Sequence, residues 1–388
     1  MKKKVVILGS TGSIGISTLG VIKKNIKKFD VILLTANNNY KKLISQAKEY
    51  KAKNVLIYNK TFYNYVKTAL KNEKTKVFSN NTPINKIINT KIDYTMSAIV
   101  GLAGLQPTID AIKVSKNVAL ANKETIICAW DILKKLKKKY KTKIIPVDSE
   151  HFSIMELTKN SKDSEISELI ITASGGPFLN IPDEKLKYIK PHQAIKHPNW
   201  KMGKKISVDS ATLMNKVFEV IEACKFFDFN YKKYKILVHP QSYVHSIIRF
   251  KNGLIKMILY NTDMKIPISN ILLKDSISPF EQKNIKTKDL NNIKFYKVNV
   301  KKFPSIKLIN KCLNLGPSVP IIINASNEVL VNLFLNRKIQ FLDIVNTVNK
   351  IFKHKDFIKY ARRRPKTVKE VMLVDKWARL NTLAMCVK

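Results

Sequence analysis

The segment VVILGSTGSIG, Val5 to Gly15, begins with four aliphatic residues suited to a buried strand and then places glycines at 9, 12 and 15. Gly-x-x-Gly-x-x-Gly directly after a strand lets backbone approach a pyrophosphate at the start of the next helix, expected from about Ile16 to Lys24. The amides of Thr11, Ser13 and Ile14 are the donors in that arrangement. The first glycine pair is one residue wider than in G-x-G-x-x-G, so a tight turn or a different phosphate ligand also satisfies the spacing. The chain then continues with VILLTA at 31–36 and NVLIY at 54–58, an alternation of strand and helix that predicts an α/β fold with a mostly parallel sheet.

A further strand, KIIPV at 143–147, runs into Asp148-Ser149-Glu150. Residues i and i+2 of a strand face the same side, so Asp148 and Glu150 are expected to present two carboxylates together at its carboxyl end, where open α/β sheets place ligands. Two adjacent carboxylates repel unless a cation lies between them. ITASGGPF, Ile171 to Phe178, reads as another strand followed by a Gly-Gly turn whose amides and Ser174 hydroxyl suit an anion. HPNWKMGKKISVDSATLMNKVFEVIE, His197 to Glu222, reads as a loop and then a helix, with Asp209 and Ser210 at N-cap positions before Leu213, Val217, Val220 and Ile221. Asn215, Lys216 and Glu219 share one face of that helix by their i,i+4 and i,i+3 spacing. Glu219 with Asp148 and Glu150 makes an all-oxygen set fitting Mg²⁺ or Mn²⁺, whereas a solvated ion-paired face is the plainer reading of Lys216 and Glu219 alone.

Composition bounds these readings. The 388 residues suffice for two or three domains. Cys128, Cys224, Cys312 and Cys386 are scattered without a CxxC pair, which favours a reducing compartment. The first strand starts by Val5 and no apolar run reaches membrane-spanning length, so the expectation is a cytoplasmic protein with no membrane partner. The net charge of +43 admits a nucleic-acid-binding protein as a rival from another class. Lysine is spread over every segment, however, with KKLKKKYKTK at 134–143 the densest run, and Asn, Ile, Tyr and Phe are abundant beside it. That set is what an AT-rich genome encodes, so no specific nucleic-acid partner is expected.

Several unusual strings, in order from 9 to 328, resemble the 1-deoxy-D-xylulose 5-phosphate reductoisomerase family: GSTGSIG (9–15), LANKE (120–124), PVDSEHFSI (146–154), SGGPF (174–178), HPNWKMGKKISVDSATLMNK (197–216), HPQSYVHS (239–246) and NASNE (324–328). The resemblance implies rearrangement of an acyclic ketose phosphate through an enediolate and reduction of the branched aldehyde by NADPH, giving 2-C-methyl-D-erythritol 4-phosphate. It implies Asp148, Glu150 and Glu219 as ligands of Mn²⁺ or Mg²⁺, with Co²⁺ a third candidate, and Lys123 among the catalytic groups. Ser149, Lys123, Glu150, Ser174, His197, Ser210, Asn215, Lys216 and Glu219 are its implied substrate contacts, under a lid carrying Trp200 and Met202. Thr11, Gly12, Ser13, Ile14, Asn122, Glu124 and Gly203 are the implied cofactor contacts. Asn37, Asn38 and Asn39 belong with them, in the loop after the second strand. There the family usually carries a basic residue for the 2′-phosphate, and here Asn38 stands instead. A homodimer is implied as well. A generic NADP-dependent sugar or amino-acid dehydrogenase explains GSTGSIG but leaves the three carboxylates without a role.

The expected plan is a Rossmann-like NADPH-binding domain over 1–147, an α+β catalytic and connective domain over 148–273, a linker over 274–299 and a helical bundle over 300–388. In that bundle FLDIVNTVNKIF places Ile344, Val345, Val348, Ile351 and Phe352 on one stripe. His239 and His245 read as structural histidines.

Overall fold

Val5, Val6, Ile7 and Leu8 are buried along β1 (Lys3–Leu8), the middle strand of a seven-stranded sheet, in a computed structural model that describes residues 1–79, 82–274 and 285–386. Both faces of a parallel strand are covered, so its sequence is continuously apolar rather than alternating. The chain continues through α1 (Ser13–Lys24), β2 (Phe29–Ala36), α2 (Tyr40–Glu49), β3 (Asn54–Ile57), α3 (Tyr63–Ala69), β4 (Lys76–Ser79) and α4 (Ile84–Ile87). Next come β5 (Ile92–Ser97), α5 (Leu105–Val114), β6 (Ser115–Leu120), α6 (Lys123–Lys139) and β7 (Lys143–Pro146). The strand order is β4-β3-β2-β1-β5-β6-β7 and every pairing is parallel. The order reverses at β1, so the crevice beyond the carboxyl ends of β1 and β5 is where such a sheet takes its ligand. Helix α1 starts at Ser13, three residues before the expected position.

The second sheet has the order β11-β10-β8-β9-β12. Its elements follow α7 (Ser149–Leu157): β8 (Ile166–Ala173), α8 (Pro191–Ala194), α9 (Lys204–Ala211), α10 (Met214–Phe227), β9 (Tyr234–Val238), β10 (Val244–Phe250) and β11 (Ile255–Leu259). Leu169 and Ile171 of β8 pack with Val220 and Ala223 of α10, while the intervening Ile170 packs with Val244 and Ile247, as a two-residue period requires. The segment 235–250 is two strands, since His239 to Tyr243 turns between β9 and β10.

The remaining helices are α11 (Lys265–Leu273), α12 (Thr287–Leu290), α13 (Leu308–Asn314), α14 (Val319–Leu335), α15 (Phe341–Ile351), α16 (Phe357–Ala361) and α17 (Val368–Cys386), with β12 (Tyr296–Lys297) between α12 and α13. Ile344, Val345, Val348 and Ile351 are buried on α15; Phe352 lies just past its end and packs on Phe357 at 5.0 Å. Of the expected linker, 275–284 fall outside the described residues, and Tyr296 and Lys297 pair with Val238 and Leu237.

Two compact units emerge. One comprises 1–125, 131–152 and 263–282; the other comprises 126–130, 153–262 and 283–388. In the first, α11 packs on α1, and Lys3 Nζ donates to the Leu272 carbonyl at 2.9 Å.

Candidate active site

Around the glycine loop, Gly9 has φ +80°, and a β-carbon there would meet the Ala98 carbonyl at 2.9 Å. A β-carbon on Gly15 would lie 2.3 Å from the Gly9 carbonyl oxygen, so both positions require glycine. Gly12 caps α1 in an extended conformation and no side chain satisfies the first helical amides. Those amides, with Thr11, Ser13 and Ile14 around them, suit a pyrophosphate at a helix start. The loop is fixed from behind: Ser10 Oγ donates to Gln46 Oε1 at 2.8 Å, Gln46 Nε2 donates to the Ser10 carbonyl at 3.0 Å, and Gly9 N donates to Thr35 Oγ1 at 2.9 Å. Sequence reasoning did not single out Gln46 or Thr35, because neither has a local signature.

Asn37, Asn38 and Asn39 are exposed after β2. Asn39 caps α2 by accepting from Lys42 N at 3.2 Å, and Asn38 Oδ1 accepts from Asn59 Nδ2 at 2.9 Å. Asn122 is buried before α6: its amide donates to the carbonyls of Ile99 and Gly101, and its Oδ1 accepts from Thr125 N at 2.8 Å. The side chain is thus committed to joining the loop after β5 to the start of α6. Glu124 lies buried in the first turn of α6, where the helix dipole favours an acid.

Asp148 and Glu150 do not project from a strand. β7 ends at Pro146 and Ser149 opens α7, so the two carboxylates belong to a helix start. Asp148 Oδ1 accepts from Glu150 N at 3.2 Å and lies 3.1 Å from His151 Nδ1, while Oδ2 lies 2.9 Å from Lys123 Nζ. Capping held the chain in helix, because a carboxylate just before the first turn satisfies an otherwise orphaned amide. Ser149 Oγ donates to Glu150 Oε2 at 2.5 Å.

In the second unit, Gly175 and Gly176 have φ of +83° and +68°, and Gly176 N donates to Ser174 Oγ at 3.1 Å. His197 Nδ1 accepts from the amides of Asn199 and Trp200 at 3.1 and 3.0 Å, which assigns the ring proton to Nε2, 2.9 Å from Ser174 Oγ. Asp209 and Ser210 are not caps. They lie inside α9, whose N-cap is Gly203, and α10 begins only after Leu213 adopts a left-handed φ of 55°. Thr212 Oγ1 accepts from Met214 N at 3.3 Å at that break. Asp209 is buried and takes Lys205 Nζ at 2.9 Å and Asn327 Nδ2 at 2.7 Å, two partners the sequence reading missed. On α10 the expected face forms: Glu219 accepts from Asn215 Nδ2 and Lys216 Nζ, each at 2.5 Å.

Trp200 is half-buried and meets the His245 ring edge-on at 6.0 Å; Met202 is half-buried nearby in sequence. His245 stacks on Tyr260 at 3.9 Å and contacts its carbonyl through Nε2. His239 is occupied at both nitrogens by the Lys294 carbonyl and the Tyr243 amide, and burial lowers its pKa.

Comparison with known proteins points to one family for the chain. The family description 1-deoxy-D-xylulose 5-phosphate reductoisomerase matches residues 5–130, and two C-terminal domain descriptions of the same enzyme match 144–227 and 259–381. A reductoisomerase of Pelagibacter ubique is 48% identical over 387 residues, covering 99% of this chain and 100% of the relative. One of Zymomonas mobilis is 37% identical, covering 99% and 97%. A solved Zymomonas mobilis reductoisomerase in complex with NADPH superposes with a TM-score of 0.90 at 35% identity, covering 100% of this chain and 99% of that one. A reductoisomerase in complex with NADPH, fosmidomycin and magnesium gives 0.93 at 31% identity, covering 99% and 98%. With likeness running the whole length in both sequence and fold, the chain belongs to the 1-deoxy-D-xylulose 5-phosphate reductoisomerase family.

Proposed function

We propose that the chain rearranges 1-deoxy-D-xylulose 5-phosphate and reduces the product to 2-C-methyl-D-erythritol 4-phosphate, using NADPH and a divalent cation, Mg²⁺ or Mn²⁺. The observation that carries this reading is the donor set: Asp148 just before α7, Glu150 in its first turn and Glu219 on α10 are hard anionic oxygens, the ligands these cations take. When bound, the cation supplies Lewis acidity to the substrate carbonyl and adjacent hydroxyl, and the nucleotide supplies hydride.

The chain's own groups orient and enclose. Lys123 holds the Asp148 carboxylate in place, and Asn215 with Lys216 fixes Glu219 in one orientation, so little reorganisation is needed when the cation binds. Ser149, Ser174, His197, Ser210, Asn215 and Lys216 bind the substrate's phosphate and hydroxyls; His197, protonated at Nε2, faces them as a donor. Trp200 and Met202 close over the substrate and exclude water while the carbon skeleton is broken and rejoined. The loop from Thr11 to Ile14, the loop 37–39, the segment 122–124 and Gly203 hold the nucleotide. In this plan residues 1–147 serve the cofactor, 148–273 the metal and substrate, and 300–388 support them as a helical bundle.

The test is incubation with 1-deoxy-D-xylulose 5-phosphate, NADPH and Mn²⁺ while nicotinamide absorbance is followed, with and without a chelator. Nucleotide oxidation that is substrate-dependent but indifferent to chelation would leave only the generic dehydrogenase reading.

Three further assignments accompany this. A homodimer is supported by β11, an edge strand on which Ile255 and Met257, with Leu254 just before it, are 54%, 42% and 58% exposed, and sedimentation at equilibrium tests it. A reducing, cytoplasmic setting is supported by four free cysteines, and no helix among the described residues is long and apolar enough to cross a membrane. The +43 charge is incidental, which predicts polyanion binding that collapses at physiological salt.

A further inference from the structure

In dinucleotide folds the loop after the second strand reads the ribose 2′ position: an acid there accepts the diol, a cation accepts the 2′-phosphate. The loop from Ala36 to Tyr40 carries neither. Asn39 is spent capping α2, and Asn38 has its Oδ1 taken by Asn59, so what Asn38 has left to offer is its Nδ2 donors. Asn59 follows β3, and it is held to the β2 loop twice, through that side-chain bond and through its own amide, which donates to the Asn37 carbonyl at 3.3 Å. Its Oδ1 also accepts from the amide and hydroxyl of Thr61 at 3.1 and 2.8 Å, which shapes the turn that begins at Lys60. Phe62, at the end of that turn, stacks on Tyr40 at 4.6 Å, a third tie between the two loops. Lys60 is exposed at the head of the turn and has no ion-pair partner among the described residues.

We propose that Lys60, presented beside Asn38 by Asn59, supplies the positive charge that recognises the 2′-phosphate, so the loop after β3 sets the preference for NADPH over NADH. The reading rests on the nucleotide assignment above. The resulting subsite holds only donors, the Asn38 amide and the Lys60 ammonium, as a phosphate dianion requires. A flexible lysine stem on a turn anchored at three points reaches the ribose while its backbone stays fixed.

Direct binding of NADPH and NADH at physiological salt, by calorimetry or by quenching of protein fluorescence, tests this without catalysis. Lys60→Ala is expected to weaken NADPH about 5- to 10-fold, the order of a lost charge-assisted contact at an exposed site, and to leave NADH within about twofold. Lys60→Arg restores NADPH, and Asn59→Ala, which releases the turn, weakens NADPH more than NADH. Lys41→Ala, on the first turn of α2, is the control for general surface charge. An unchanged NADPH-to-NADH ratio in Lys60→Ala, or an equal loss in Lys41→Ala, overturns the proposal while leaving the cofactor assignment standing. Failure of the unaltered protein to bind either nucleotide sinks both.

Discussion

Glu219→Gln separates the roles of the carboxylate most sharply. Glu219 is 1% exposed and its two oxygens accept from Asn215 and Lys216. Glutamine keeps the length and helix propensity and preserves one acceptor for the Asn215 amide. Its NH₂ group then faces the Lys216 ammonium, donor against donor, and the charge-assisted bond is lost at a cost of about 1.5–3 kcal/mol. Against a stability of roughly 5–15 kcal/mol the fold survives, with a melting temperature lowered by several degrees. Activity should fall much further, by at least about 100-fold, because losing an anionic ligand removes roughly 3 kcal/mol or more of transition-state stabilisation. The assay pairs NADPH oxidation over a Mn²⁺ titration with a circular-dichroism melt. Wild-type activity at limiting Mn²⁺ would refute the ligand role. A collapsed melt would show that the ion pair with Lys216, rather than metal binding, is what the position chiefly supplies.

Trp200→Ala should raise the substrate KM and lower kcat by about tenfold or more while changing the NADPH dissociation constant less than about threefold, as the proposed lid over the substrate requires; equal losses of both affinities contradict the lid. Asn38→Lys should tighten NADPH about 5- to 10-fold and barely alter NADH, read as kcat/KM for each nucleotide; no NADPH gain would mean that this loop does not face the 2′-phosphate. Gly176→Ala should cost about 2–4 kcal/mol by denaturant unfolding, because φ is +68° and the new methyl would sit 2.9 Å from the Ser210 carbonyl oxygen. A loss under about 0.5 kcal/mol would mean the turn can back away from α9.

The parts of the fold that rest on local pattern were legible in the sequence. Gly9, Gly12 and Gly15 after four aliphatic residues specify the strand, turn and helix around β1, and the period of α15 specifies its buried stripe. Asp148, Glu150 and Glu219 could be singled out from the sequence as a candidate set, but the geometry of the first two could not, because KIIPVDSE reads equally as a strand running on or as a strand yielding to a capped helix. Asp209 and Ser210 misled for a related reason: the left-handed residue that divides α9 from α10 is a leucine, which carries no turn signal. Gln46, Asn59 and Asn327 were invisible because their partners Ser10, Asn38 and Asp209 lie 36, 21 and 118 residues away. Such bonds follow from tertiary placement and leave no periodicity behind.

The bond from Asn327 to Asp209 bears on the order in which the molecule can mature. During synthesis α9 leaves the ribosome 118 residues before the amide that will match its buried carboxylate. Until α14 arrives, Lys205 alone answers Asp209, from a neighbouring turn of the same helix and with its own side chain still partly in water. The helix bearing Ser210 therefore settles late, after the parallel sheet around β1 has had all of its strands available. A nascent chain would then acquire the proposed nucleotide cradle well before the proposed phosphate grip, and protease resistance of stalled chains should appear in that sequence.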